Sequence, residues 1–417
     1  MLLIDVIKNK SNDYSSLETE YSDDHSNFLD PFAKPRLDKE NVPSVSVVLP
    51  AYNVSNSVLA CLRAIEKSSF NSKFPEKLQV VLVDDGSKDD TWKIIKNTSL
   101  NMHLLAVKLI NSGQVKALNT GISISDGDII ISCDPDMILS YYAIEQFAAR
   151  HQKIGNALLV GFRSDTPGED NLVHSEHIEK YGVHEMPYFE NDERFIFSTP
   201  GIPNNMCLAS RHFKDLGFGN GLWMPDGGEP WLLPDNVFGA LFCLPKSIYQ
   251  EIGGYDERIN GWGCVDGYLA AKAIGANQYI IPVYAATGLH ISHPDRSATK
   301  LMEYMRNRKL FKRFIRTTDV YKHPNFLLHA KDRIIETYKV ELKTRKNISN
   351  SNMNSNNPRR WNEIDSLILI GQYKKALTKI EDINGNLDGY AERFAKIQLE
   401  LKNYTKAIEV LKNIDNL

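Results

Sequence analysis

The stretch "LQVVLVDDGSKDDTWKIIKN", residues 78–97, decides the fold of this chain. It opens with an apolar, largely β-branched run, which is typical of a strand buried on both faces. The acidic turn "DDGS" ends that run, and "DDTWKIIKN" then begins a helix. A strand, a tight turn and a helix in such close succession predict one part of a parallel βαβ unit.

The same alternation continues on both sides of this stretch. Apolar strand-like runs and helical patterns follow one another as "VSVVLP" (45–50), "SNSVLACLRAIEKSSF" (55–70), "LLAVKLI" (104–110), "QVKALNTGISIS" (114–125), "DIIISCD" (128–134) and "SYYAIEQFAARHQ" (140–152). We therefore predict an α/β fold with a Rossmann-like, mostly parallel central sheet. In such sheets ligands bind outside the carboxyl ends of the strands, where "LPAYN", "VDDGS" and "CDPDM" lie.

The amino-acid composition indicates the class of protein. The chain has 417 residues, 42% of them hydrophobic and 24% charged, which predicts a soluble globular protein with a large core. A net charge of −3 with dispersed Lys and Arg gives no reason to expect a nucleic-acid partner. Five cysteines without a CxxC pair indicate reduced thiols. No run reaches the ~18 apolar residues of a membrane helix, so we expect a cytoplasmic protein, with peripheral membrane association left open.

The chain divides into five predicted segments. These are an N-terminal arm (1–42), the main α/β domain (43–320), a helical extension (321–346), an Asn/Ser-rich linker (347–360) and a helical region (361–417). In the last segment, "GQYKKALTKI" and "KNYTKAIEVL" share a Tyr-x-x-Ala core and resemble tetratricopeptide helices. An ordinary helical hairpin is the alternative, and this region could also pack on a second copy of the chain as a homodimer.

Asp134 and Asp136 form an Asp-x-Asp pair directly after the fourth predicted strand. In an extended segment these two side chains point the same way, and Pro135 stiffens the pair. Two like charges so close repel unless a cation lies between them, and carboxylate oxygens suit Mg²⁺ or Mn²⁺. Taken alone, the motif also fits a solvated acidic turn.

Several motifs together resemble the family-2 nucleotide-sugar glycosyltransferases of the A-type fold. "VVLPAYN", "VVLVDDGSKDDT", "VKALNTGI" and "DPDM" occur in that family's order, and the resemblance covers about residues 43–295. It implies an A-type glycosyltransferase fold for the main domain, followed by a small all-helical C-terminal region, and a UDP-sugar as donor. The residues it implies around the base and ribose are Pro50, Ala51, Tyr52, Asn53 and Asp85, the last alone or with Asp84.

The resemblance also implies a contact to the diphosphate in "KALNTG". Leu118 stands where the family has a basic residue, so Lys116 could supply the charge instead; an ordinary surface lysine is the alternative. Asp134 is implied both as a donor-binding residue and, with Asp136, as a metal ligand.

The second half contains "GGYDERINGWGCVDGYLAAK", residues 253–272, which resembles chondroitin-polymerase-like and galactosyltransferase-like relatives. There Gly-Trp-Gly precedes a Glu-Asp pair. The resemblance implies that Gly261, Trp262 and Gly263 lie beneath the sugar acceptor and that Asp266 is the general base. Val265 replaces the first acid of the pair, which leaves the sugar specificity open.

A late histidine completes the implied metal site. In "GLHISHPDRS", residues 288–297, the resemblance favours His293 as a ligand, with His290 as the second choice, and Mn²⁺ or Mg²⁺ as the cofactor. His174, His177 and His184 lack the spacing of a zinc helix and are interpreted as acceptor-loop or surface residues.

The sequence thus predicts a metal-dependent inverting glycosyltransferase that moves a sugar from a UDP-sugar to a glycan or to a protein or peptide. One alternative is a peptide glycosyltransferase that glycosylates Ser, Thr or Cys and holds its substrate with the helical tail. Another is a degenerate, non-catalytic sugar-nucleotide-binding protein, which Val265 and Leu118 favour. A nucleotidyltransferase would need a Gly-rich basic loop, which "LPAYNVSNS" does not provide.

Overall fold

The structure is a computed structural model that describes residues 1–10, 36–166, 233–237, 239–291 and 297–342, together with positions 377, 378 and 394. The chain divides into two compact units, Met1–Lys343 and Thr344–Leu417, and the fold below is that of the first unit. The predictions for His174, His177, His184 and His293, for the linker and for the tetratricopeptide-like region lie outside the described residues.

Nine strands form one sheet within the described part of the chain. They are β1 (Val45–Ala51), β2 (Leu78–Asp84), β3 (His103–Leu109), β4 (Ile129–Cys133), β5 (Met137–Leu139), β6 (Ala157–Thr166), β7 (Leu241–Pro245), β8 (Tyr279–Ile291) and β9 (Ile334–Val340). Their order across the sheet is β5-β8-β6-β7-β4-β1-β2-β3-β9. All but β5, β7 and β9 run in one direction, which confirms an α/β fold with a mostly parallel central sheet.

Helices connect and cover these strands. They are α1 (Leu3–Asn9), α2 (Val58–Glu66), α3 (Ser69–Lys73), α4 (Thr91–Asn97), α5 (Gln114–Ile124), α6 (Ala143–Ile154), α7 (Lys246–Glu251), α8 (Val265–Gly275) and α9 (Ser297–Thr317), with 3₁₀ turns at Pro75–Lys77, Leu233–Asn236 and Ala330–Arg333. The predicted alternation from β1 to α6 is present in full.

The central strands are buried and support the loops at their carboxyl ends. Every residue of β1 and β4 is buried, and so is every residue of β2 except Gln79. Since side chains alternate between the two faces of a strand, these strands are buried on both sides. Gly121 lets α5 lie directly on the sheet, because a Cβ there would be 2.5 Å from Cγ1 of Val48. The positions of the loops at the carboxyl ends are fixed by this packing.

The predicted N-terminal arm (1–42) is wrong for its first residues. Residues 3–9 form helix α1, whose Leu3 and Ile7 are buried. Leu3 packs so closely on α8 that a Cβ on Gly275 would lie 2.7 Å from its Cδ2. The apolar positions Leu3, Ile4 and Ile7 have helical spacing and cover one side of the domain, which explains why this segment is part of the core.

The predicted helical extension (321–346) is also wrong, because it contains strand β9. β9 pairs antiparallel with β3 and forms an edge of the sheet. Its sequence "IIETYKV" is rich in residues with β propensity, and charged side chains are typical of an edge strand. The main domain therefore continues beyond residue 320, and the compact unit ends at Lys343.

Two further features follow from the described residues. No helix among them is both long and apolar enough to cross a bilayer. Cys61, Cys133, Cys243 and Cys264 are free thiols, and the first three are buried.

Candidate active site

The loops after β1 and β2 form one hydrogen-bonded edge. The backbone N–H of Asp85 donates to the carbonyl of Ala51 at 2.8 Å. The backbone N–H of Asn53 donates to Oγ of Ser87 at 2.9 Å, and Oδ1 of Asn53 accepts from the backbone N–H of Lys88 at 2.8 Å. The structure therefore brings the predicted nucleoside-binding residues of the two loops together at the carboxyl end of the sheet.

Asp85 holds a third loop in the same place. Its carboxylate accepts hydrogen bonds from the backbone N–H groups of Ser112 and Gly113, both at 2.8 Å, and the residue is 3% exposed. Burial raises the pKa of Asp85, while these hydrogen bonds lower it. Asp85 thus holds the loop at residues 112–113 in place, a contact that the sequence did not reveal, and its contact with a nucleobase stays a prediction.

The other predicted donor-binding residues differ in their accessibility. Pro50 and Ala51 belong to β1 and are buried, whereas Tyr52 is half-buried beyond the end of that strand. Lys116 lies half-buried in the first turn of α5. Tyr52 is therefore the member of this group that can present an aromatic wall to a base.

Gln114 is a residue of this edge that sequence reasoning missed. It is the first residue of α5, and its Nε2 lies 3.5 Å from Oδ1 of Asp134. The signal that could have found it is its place at the start of a helix that follows a strand end, because helix N-termini attract anionic ligands.

The acidic pair stands where β4 passes into β5. The backbone N–H of Asp134 donates to the carbonyl of Ala240 at 3.1 Å, and the carbonyl of Asp136 accepts from Ile291 at 2.9 Å. β5 and β8 are antiparallel, with Met137 opposite His290. This register places Nε2 of His290 3.5 Å from Oδ2 of Asp136.

These side chains have the donor atoms that a divalent cation requires. The 3.5 Å between Nε2 of His290 and Oδ2 of Asp136 is about 0.5 Å longer than the spacing of neighbouring ligands, about 3.0 Å, in an octahedral shell with bonds of about 2.1 Å, so a small side-chain shift would let both bind one ion. Among the described residues, no three His, Cys, Asp or Glu side chains lie close enough together to hold an ion by themselves. The arrangement therefore fits Mg²⁺ or Mn²⁺, which often bind through one or two protein carboxylates and complete their shell with substrate phosphates.

Asp266 contacts Gly239, the neighbour of the residue whose carbonyl accepts a hydrogen bond from Asp134. It is the second residue of α8, and a Cβ on Gly239 would lie 2.4 Å from its Oδ2. The next residue, Ala240, accepts the hydrogen bond from Asp134. One short segment before β7 therefore contacts both the predicted base and the predicted metal edge. Sequence reasoning missed Gly239, since nothing local marks it.

The environment of Asp266 tunes its acidity. Burial raises the pKa of Asp266 to about 6, although its own backbone N–H and the hydroxyl of Tyr255 lower it. The Tyr255 hydroxyl is also 3.2 Å from Oγ of Ser132 on β4. Asn119 fixes the backbone of Tyr255, because its Nδ2 donates to the Tyr255 carbonyl at 3.0 Å and its Oδ1 accepts from the Tyr255 N–H at 2.8 Å. A carboxylate with this pKa is suited to general-base chemistry near neutral pH.

The loop that precedes α8 presents a tryptophan to solvent. Trp262 is 51% exposed and lies between Gly261 and Gly263, whose φ angles are +84° and +85°. Asn260 lies against the start of α5, since a Cβ on Gly113 would be 2.7 Å from its Oδ1. Trp262 is therefore not a core residue, and its indole is accessible next to the rest of the site.

Parts of the chain are similar to known glycosyltransferases. Residues 46–216 match the model of the family described as Glycosyl transferase family 2. The probable glycosyltransferase YdaM of Bacillus subtilis (strain 168) is 24% identical over 234 residues, which are 54% of this chain and 45% of that protein. The undecaprenyl-phosphate 4-deoxy-4-formamido-L-arabinose transferase of Proteus mirabilis (strain HI4320) is 34% identical over 101 residues, which are 24% of this chain and 30% of that protein.

Each match spans less than two thirds of the relative's own length. Among solved structures, the mannosyltransferase PcManGT from Pyrobaculum calidifontis, in complex with GDP-Man and Mn²⁺, is 16% identical. It superposes with a TM-score of 0.45 and covers 73% of this chain and 73% of that one.

Proposed function

We propose that this chain is a metal-dependent, inverting glycosyltransferase that transfers a sugar from a UDP-sugar to a glycan or to a protein or peptide. The observation that carries the proposal is the contact of one segment, Gly239 and Ala240, with both Asp266 and Asp134. It brings a carboxylate with a near-neutral pKa to the same sheet edge as the acidic pair. The family-2 match at residues 46–216 supports this reading.

On the donor side, Tyr52 and Asn53 line the base and ribose above Pro50 and Ala51, and Asp85 reads the edge of the base. Asp134 and Lys116 lie toward the diphosphate. Asp134 and Asp136, with His290 or His293, would hold Mn²⁺ or Mg²⁺. When bound, the ion would offset the negative charge that develops on the departing UDP.

On the acceptor side, Asp266 takes the proton of the acceptor nucleophile as the nucleophile attacks the anomeric carbon. Attack from the face opposite the nucleotide inverts that carbon in a single displacement. With a pKa of about 6, Asp266 is largely ionised at pH 7 and still basic enough to accept the proton. The exposed face of Trp262 suits a sugar ring, and Gly263 lets the backbone approach it closely.

Two features keep a second candidate open. Val265 stands where the resemblance leads us to expect an acidic residue, and Leu118 stands where it leads us to expect a basic residue. Both replacements would fit a non-catalytic sugar-nucleotide-binding protein. The burial that raises the pKa of Asp266 favours the enzyme, because such a shift costs stability and a mere binding protein has no use for it. The acceptor could be a peptide held by the C-terminal tail, or the tail could join two copies of the chain.

A panel of UDP-sugars incubated with the full chain and Mn²⁺ tests the proposal. We expect UDP release from at least one sugar, and we expect EDTA to abolish it. The product of a transfer to methanol or another simple alcohol, examined by NMR, should have the inverted anomeric configuration. Binding of UDP and Mn²⁺ without release from any sugar would instead support the non-catalytic candidate. Undiminished release in EDTA would overturn the metal dependence.

A further inference from the structure

One turn of α9, residues 303–307, holds the loop that carries Trp262. Asn307 is fully buried, and its Nδ2 donates to the carbonyl oxygens of Asn260, Trp262 and Gly263, each at 3.1 Å. Three backbone carbonyls from four consecutive residues therefore converge on a single side-chain amide group. The Oδ1 of Asn307 points the other way and accepts from the guanidinium of Arg306 at 3.2 Å.

Glu303, one turn earlier on the same face of α9, contacts the same loop. Its Oε2 accepts a hydrogen bond from the backbone N–H of Trp262 at 2.7 Å. Packing is tight here, since a Cβ on Gly261 would lie 2.7 Å from that oxygen and a Cβ on Gly263 would lie 2.7 Å from Cδ2 of Tyr304. The two glycines thus allow the loop to lie directly on α9.

The loop at residues 260–263 depends on these contacts with α9. A Gly-Trp-Gly segment with two left-handed glycines loses much conformational entropy on folding, because glycine has the most freedom to lose. The loop leads straight into α8, whose second residue is Asp266. Whatever fixes residues 260–263 therefore also fixes the exposed indole and the start of the helix that carries the base.

We propose that Asn307 and Glu303 are positioning residues that set the acceptor side of the active site. This inference rests on the proposed function, because it assigns the loop to that site. Asn307 orders the loop through three carbonyl oxygens, and Glu303 orders it through the Trp262 N–H. Neither side chain touches the reacting atoms; both act through Trp262 and Asp266.

The first test uses hydrogen–deuterium exchange on the full chain and needs no activity. Asn307→Asp replaces the donor with a carboxylate facing three carbonyls, so exchange in a peptide covering residues 258–268 should rise about tenfold or more. Glu303→Ala, at a half-buried position, should raise it less, and it serves as the milder variant if Asn307→Asp folds poorly. Glu303→Gln keeps an acceptor oxygen and should exchange like the wild type.

Asn71→Asp is the matched control. Asn71 is 5% exposed, and its Nδ2 likewise donates to two backbone carbonyls, those of Glu66 and Asn101, at 2.7 and 3.2 Å. It lies on α3, outside the site. This variant should lose a similar amount of global stability and leave exchange at residues 258–268 unchanged relative to the rest of the domain.

The second test measures UDP release from a UDP-sugar with Mn²⁺, alongside UDP binding by calorimetry. We expect Asn307→Asp and Glu303→Ala to lower kcat about tenfold or more while the Kd for UDP stays within about twofold. Asn71→Asp and Glu303→Gln should retain kcat. Wild-type exchange at residues 258–268 in Asn307→Asp would overturn the proposal, and so would faster exchange with an unchanged kcat. A wild-type chain that releases no UDP would refute the proposed function, whereas the exchange result would still decide whether α9 holds the loop.

Discussion

The two sides of the site are built in opposite ways. On the donor side, Asn53, Asp85 and Asp134 lie within two residues of the end of a parallel strand, and the loops that follow β1, β2 and β3 are hydrogen-bonded to one another. On the acceptor side, Asp266 depends on Gly239, a residue that precedes it by a strand, a helix and a turn. The donor side is built from successive strand–helix units, whereas the acceptor side joins β7, α8 and α9, which lie outside that repeat.

From this difference we can predict which single substitutions should affect nucleotide binding and which should affect the chemical step. The donor edge contains several mutually supporting hydrogen bonds, so one change there should alter binding without changing the shape of the edge. On the acceptor side, Gly239, Tyr255 and α9 each support a different part, so each support has a separate role. A substitution at a supporting position such as Gly239 should therefore reduce the chemical step and leave nucleotide binding intact.

The largest effect should come from Asp266→Asn. The amide has nearly the same shape but cannot accept the proton, so we expect turnover of a UDP-sugar to fall by roughly 10²–10⁴-fold. UDP affinity, measured by calorimetry, should stay near the wild-type value. Asp128→Asn provides the control, because Asp128 binds Ser44 at the other end of β4 and should affect stability alone. Full turnover in Asp266→Asn would show that the base is another group.

The next largest effect should be on metal binding. Asp136→Ala and His290→Ala each remove one of two groups that lie 3.5 Å apart, so Mn²⁺ affinity in the presence of UDP should fall by at least about tenfold. Titration calorimetry with Mn²⁺ measures this. His151→Ala, a partly buried histidine on α6, should leave Mn²⁺ affinity unchanged. Unaltered affinity in His290→Ala, with a loss in His293→Ala, would assign the imidazole ligand to His293.

Gly239→Ala tests how strongly the position of Asp266 depends on Gly239. Its Cβ would lie 2.4 Å from Oδ2 of Asp266, so the carboxylate must move, and a displacement of this size can cost about 10²-fold in kcat. Gly155→Ala is the control, since its Cβ would meet no atom within 4 Å and its φ of +69° should lower stability by about 1–3 kcal/mol through backbone strain alone, without lowering kcat. Equal kcat values for the two alanine variants would argue against the placement of Asp266.

The smallest effect concerns pH. Because the pKa of Asp266 is raised to about 6, kcat/KM should fall as the pH drops through about 6. The Tyr255 hydroxyl lowers this pKa, so Tyr255→Phe should move the acidic limb to higher pH.

A raised carboxyl pKa stabilises the folded state at low pH, and this contribution is lost as the pH rises through about 6. Asp266→Asn should therefore flatten the stability profile over that range, and an unmoved limb in Tyr255→Phe would contradict the assignment.

The same contrast explains what the sequence could predict. The strands β1 to β4 and the helices α2, α4, α5 and α6 were predictable because each is encoded by an apolar run or a helical pattern, and so was the place of Asp134 and Asp136 at a strand end, whereas the short strand β5 was not predicted. Gly239 and Asn307 were not predictable, because their roles come from contacts with Asp266 and with the loop at residues 260–263.

Two other parts of the fold depended on similar long-range contacts. α1 is part of the core through its packing on α8, and β9 joins the sheet through β3, so neither could be inferred from a local pattern alone. The position of His290 beside Asp136 likewise follows from the antiparallel register of β5 and β8. The contribution of His293 stays a prediction.

Anomalous diffraction at the manganese edge, from crystals of the full chain grown with UDP and Mn²⁺, tests the central claim most directly. We expect one manganese peak with Asp136 and His290 among its ligands, UDP phosphate oxygens completing the shell, and the Asp266 carboxylate facing the same cleft. A manganese ion bound elsewhere on the chain, or an Asp266 carboxylate that opens onto a different cavity, would contradict it.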